Sequence, residues 1–95
     1  MKNENRTQIE DDAIELAINY IRKKLTDRLR EKGRGVFISK HEMLGVITEE
    51  YDELIEAIRD DTTGSHLFDE LMDMAVASIF SLACIYQEEK DNSIL

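Results

Sequence analysis

The stretch from Leu71 to Ile85, LMDMAVASIFSLACI, constrains the fold more than any other, because its apolar residues do not keep to one side. At helical spacing Leu71, Met74, Val76, Ile79, Leu82 and Ile85, with the smaller residues between them, surround the helix almost completely. Such a helix needs burial on most of its surface. The remainder of a 95-residue chain without proline offers two further helices. From about residue 9 to 32, Ile14, Ile18, Ile21, Leu25 and Leu29 step by four, three, four and four, one helical stripe ended by Gly33. From about 40 to 59, Leu44, Ile47, Tyr51, Leu54 and Ile58 make a second seam, opened by Ser39 and Glu42 in capping-box spacing. The polar loop DDTTGS places Gly64 at its tip and Ser65 as cap of a third helix, about 66 to 88, after which the tail is expected to fray.

These elements predict a single all-α domain over residues 1–95. Two helices can hardly cover the third, so the expected assembly is an oligomeric helical bundle of three-helix protomers, a homodimer or homotetramer. With 12 basic against 21 acidic residues the chain carries a formal charge of −9, which argues against nucleic acid and anionic membrane as partners. The opening MKNENRTQIEDD lacks the apolar core of a secretory signal, and no apolar run reaches membrane-spanning length. A soluble, cytoplasmic protein is the expectation. The one cysteine, Cys84, has no second cysteine to pair with and reads as a small buried filler.

The chemistry concentrates in a doubled acidic pattern, EEYDE at residues 49 to 53 and DELMD at 69 to 73. Glu49, Glu50 and Glu53 share one helical face, and Asp69, Glu70 and Asp73 share another. Glu50 and Glu53 each precede a seam residue, as Glu70 and Asp73 precede Leu71 and Met74. If the second and third helices form an antiparallel hairpin, the two acidic faces meet at the edge of the core. Carboxylates gathered there repel unless protonated or neutralised. A divalent cation is the natural neutraliser, and oxygen ligands without His or Cys indicate Mg²⁺ or Mn²⁺ in preference to zinc. The competing reading is a solvated acidic face, which would make the chain a non-catalytic helical interaction protein with a basic partner.

The run ITEEYDELIEAI and, with sixteen residues between it and Glu53, the run ELMDMAV resemble the EExxE and ExxD signature of the MazG-like, all-α nucleotide pyrophosphohydrolases. The resemblance covers about residues 40 to 85. It implies hydrolysis of a nucleoside triphosphate to monophosphate and pyrophosphate, with Glu50, Glu53, Glu70 and Asp73 as metal ligands. Glu49 would be a further ligand or the base that activates water. Asp69 has no counterpart in the motif, and the chain has no tryptophan to stack on a base. A member that binds nucleotide without cutting it is the alternative within the resemblance.

Outside the motif, Arg30, Lys32, Arg34 and Lys40 could hold distal phosphates, although basic residues at a helix end also suit its dipole. His41 and His66 open the second and third helices and read as surface residues. Met72, Met74 and Phe80 read as core in preference to a base-binding pocket.

Overall fold

The computed structural model describes residues 5–60 and 64–93, and over them the chain is all-α, with no strand. Helix α1 runs Asp11–Lys32, α2 Lys40–Asp60 and α3 Gly64–Ser93. Among the described residues α3 packs against both other helices, whereas α1 and α2 do not pack on each other. The almost wholly apolar helix is therefore the hub, as its sequence requires.

The ends follow local chemistry. Helix α1 begins two residues later than its periodicity suggests, at Asp11, with Glu10 extended and making no side-chain cap; Asp11 and Asp12 face its positive end. It stops at Gly33, whose φ of 88° suits glycine and whose N–H reaches Leu29 O at 2.9 Å. At the start of α2 the Glu42 N–H donates to Ser39 Oγ at 3.2 Å, and the Ile38 N–H donates to Glu42 Oε1 at 2.7 Å. The reciprocal pair is a capping box in which the glutamate reaches one residue further back than usual. Ser39→Ala should therefore cost about 1 kcal/mol, seen as a melting temperature lower by roughly 4–8 °C; an unchanged melting point would deny the cap its role.

Helix α3 departs from expectation at both ends. Gly64 is already helical, and the helix continues through Ser93 without fraying at residue 88. Gln87 and Asp91, one turn apart, share a 3.1 Å hydrogen bond that helps carry it there. The rest of the expected turn, residues 61–63, and the last two residues, 94–95, lie outside the described residues, as does the side chain of Ser65.

The core is small. Buried apolar residues among those described are Ala57, Val76, Ala77 and Cys84, with Val76 only 2% exposed. The expected burial of Cys84 is what the fold provides. Ser81 is also buried, its hydroxyl donating to Ala77 O at 2.8 Å within the helix. The face that α2 turns to α3 follows the expected seam only at Ile47 and Leu54. Leu44, Tyr51 and Ile58 are exposed, and the inward positions are Met43, Val46, Ile47, Glu50, Glu53, Leu54, Ile55 and Ala57. Within the chain, α3 takes the side of α2 that bears the carboxylates, because that side also carries Ala57, small enough for close approach. Likewise Ile14 and Ile18 leave the first half of the α1 stripe in solvent, while Ile21, Leu25 and Leu29 are half-buried.

The molecule is long, 54 × 30 × 28 Å, with a Cα radius of gyration of 16.4 Å. A compact chain of this length would have about 12 Å. Its accessible surface is 8107 Å², roughly 2,500 Å² above the scaling for a compact monomer of its mass. No described helix is long and apolar enough to cross a membrane.

Candidate metal centre

Helices α2 and α3 each present two acids one turn apart, Glu50 with Glu53 and Glu70 with Asp73. The hairpin brings them into one group, in which one ligand oxygen from each residue lies within 4.8 Å of all the others. The charge acting most strongly on Glu53 is that of Glu70, and the one acting most strongly on Glu50 is that of Asp73. One number rises as the other falls, which is the pairing of an antiparallel hairpin.

All four side chains are half-buried. Within them, Glu50 Oε2 and Glu70 Oε2 are out of contact with solvent and accept no hydrogen bond. Buried polar atoms normally find partners, and an orphaned carboxylate oxygen is a costly exception. The cost is visible in the acidities. Burial first, then the charges of Asp73 and Glu53, raise the Glu50 pKa above its ordinary 4.5; Arg28 pulls the other way. Glu53 is raised as well, by burial first, then by the charge of Glu70 and a hydrogen bond with it. Both shifts state that the protein strains to keep these groups ionised without a counter-charge.

Two cations do approach. Lys24 Nζ lies 2.7 Å and Arg28 Nη2 3.4 Å from the same oxygen, Asp73 Oδ1. Neither supplies a partner to the orphaned oxygens of Glu50 and Glu70. The α1 cations thus balance one corner of the group and leave the rest unsatisfied.

What remains fits a small hard cation. Opposite ligands of an octahedral Mg²⁺ are about 4.2 Å apart, and the four oxygens already gather within 4.8 Å of one another. The donors are all carboxylate oxygen, which excludes a soft-metal preference. A cluster able to hold a metal ion is therefore present at the four positions that the motif spacing singled out. Glu49 is exposed and outside the group, although its charge still contributes to raising Glu53. Asp69 is exposed and outside it as well.

Lys24 and Arg28 went unread in the sequence, where attention fell on Arg30, Lys32, Arg34 and Lys40. Of those, Arg30 pairs with Asp27 of its own helix at 3.6 Å. A signal existed: Lys24 and Arg28 each precede a stripe residue, Leu25 and Leu29, with the same offset that places the acids before their seam residues. His41 and His66 are exposed.

Beside the group lies a pocket of about 360 Å³. Arg28 and Lys32 are among its polar lining, and Leu25, Val76, Phe37 and Phe80 among its apolar walls. The last two rings meet edge to face, 5.2 Å apart at 85°. Phe80 is thus both a packing residue and a pocket wall, whereas Met72 and Met74 are half-buried and do not line it. No protein-family model, curated protein or solved structure matches the chain.

Proposed function

We propose that this protein is a Mg²⁺-dependent nucleoside triphosphate pyrophosphohydrolase of the MazG-like, all-α kind, releasing monophosphate and pyrophosphate, with Mn²⁺ as the alternative ion. The observation that carries the reading is the convergence of Glu50, Glu53, Glu70 and Asp73, with two buried oxygens left without partners. An acidic surface built for a basic protein partner would keep its carboxylates in water.

In this reading the four carboxylates hold the metal, which when bound polarises the α-phosphate and offsets charge on the departing pyrophosphate. Glu49 stands beside the group on α2 with access to solvent, where it can take a proton from the attacking water. The water oxygen bonds to the α-phosphorus, the bond to the bridging oxygen breaks, and pyrophosphate leaves with its electron pair. The adjoining pocket suits the nucleoside: about 360 Å³ with apolar and aromatic walls falls within the usual range for small-molecule sites. The test is pyrophosphate release from a panel of ribo- and deoxyribonucleoside triphosphates with Mg²⁺, compared with a variant in which Glu53 and Glu70 are both glutamine.

The working unit in this proposal is a homo-oligomer, a dimer or tetramer. Leu44, Tyr51, Leu71, Leu82 and Ile85 are all at least 45% exposed. The surface excess of roughly 2,500 Å² per chain is of the size that obligate assemblies bury. Sedimentation at micromolar concentration should give at least twice the 11.0 kDa chain mass. A species at the single-chain mass would refute the shared core.

A further inference from the structure

We propose that Lys24 and Arg28 are phosphate ligands held in reserve: in the resting protein they rest on Asp73 Oδ1, and they pass to the anionic substrate once metal occupies the carboxylates. The inference rests on the hydrolase reading and extends it to helix α1, which bears no acid of the group.

Geometry supplies the first argument. Lys24 and Arg28 are one turn apart on α1 and converge on a single oxygen, at 2.7 and 3.4 Å. Their side chains are 29% and 31% exposed, so each has a path outward, while Asp73 at 20% is more enclosed. Arg28 also lines the adjoining pocket. It therefore stands between the carboxylate group and the cavity, where the phosphate chain of a bound nucleotide would run.

Charge supplies the second. When ionised, the four carboxylates carry −4, and Lys24 with Arg28 reduce this to −2, the charge one divalent ion neutralises. A nucleoside triphosphate carries roughly four negative charges and arrives with a Mg²⁺ of its own at about −2. The two α1 cations equal that remainder in charge; on turning to it they leave the carboxylates with one bound ion at −2, so the complex as a whole keeps a net −2. A carboxylate that ligates a metal donates its electron density there and becomes a weaker acceptor for Lys24 and Arg28. Phosphate oxygens are then the stronger partners, for arginine through a bidentate fork and for lysine as a point charge. A purely structural pair would have been expected to relieve the buried oxygens of Glu50 and Glu70, and this one does not.

The test uses the full chain with Lys24→Met and Arg28→Met combined, methionine keeping much of the apolar stem. Two probes are measured: Mn²⁺ alone, followed by electron paramagnetic resonance, and inorganic tripolyphosphate in the presence of saturating Mn²⁺. The expected result is Mn²⁺ binding several-fold tighter than in the unsubstituted protein, because competing cations are gone, with tripolyphosphate bound at least about tenfold more weakly. Tripolyphosphate affinity within twofold of the unsubstituted protein overturns the proposal, as does Mn²⁺ affinity falling in parallel with it. Failure of the unsubstituted protein to bind tripolyphosphate overturns it too. If the double variant does not fold, Lys24→Gln and Arg28→Lys are read by the same two criteria. Pyrophosphate release by the unsubstituted protein judges the hydrolase reading separately: release with an unaltered KM in the double variant sinks this inference alone.

Discussion

Replacing Glu53 and Glu70 together by glutamine is expected to lower pyrophosphate release by roughly a thousandfold. The substitution keeps side-chain length and removes two of the four charges that gather within 4.8 Å. Bound metal contributes several kcal/mol of transition-state stabilisation, and about 4 kcal/mol corresponds to a thousandfold in rate. The same variant should melt no lower than the unsubstituted protein when metal is withheld, since Glu53 and Glu70 repel each other across the hairpin. Low activity with an intact or raised melting point locates the loss in the site. Should the unsubstituted protein release no more pyrophosphate than this variant from any nucleotide, the enzymatic reading fails.

The second large effect is a dependence of stability on pH that metal abolishes. Burial and neighbouring acids raise Glu50 and Glu53 in the folded state above their ordinary 4.5. In the window above 4.5 the folded chain therefore holds protons that the unfolded chain has already released. Stability from these groups is highest at mildly acid pH and declines as pH rises toward neutrality. Without divalent ions the melting temperature is expected to be lower at pH 7.5 than at pH 5. Millimolar Mg²⁺ or Mn²⁺ should restore it at the upper pH, with proton release on binding. A melting temperature that ignores the metal at pH 7.5 would favour an acidic interaction surface over a metal centre.

Much of this was legible because it depended on spacing. Three- and four-residue steps located three helices, Gly33 and Ser39 marked their boundaries, and the doubled acidic pattern offered six acids from which the family resemblance singled out the four that meet. What spacing could not give was which side of a helix its neighbour would choose. The stripe of Leu44, Tyr51 and Ile58 has the stronger apolar pattern, yet α3 packs beside Ala57 and the acids, leaving that stripe outside. Apolar periodicity ranks faces by hydrophobicity and does not say whether the covering partner belongs to the same chain. The same blindness hid Lys24 and Arg28, whose importance lies in a contact about 45 to 49 residues away in sequence. The continuation of α3 to Ser93 was missed because QEEKDNS offers no apolar signal, only local hydrogen bonding such as that of Gln87 with Asp91.

The antiparallel pairing gives the four acids an approximate two-fold relation. A half-turn about an axis between α2 and α3 exchanges Glu50 with Glu70 and Glu53 with Asp73, and the two orphaned oxygens fall on the exchanged pair Glu50 and Glu70. A cage with that symmetry has two equivalent ends along the helices, and a reaction that displaces one group and admits another needs them to differ. Here the equivalence is broken at one corner, where the shorter side chain of Asp73, in place of a second glutamate, meets the cations of α1. Helix α1 thereby gives a nearly even-handed pair of helices its sense of direction.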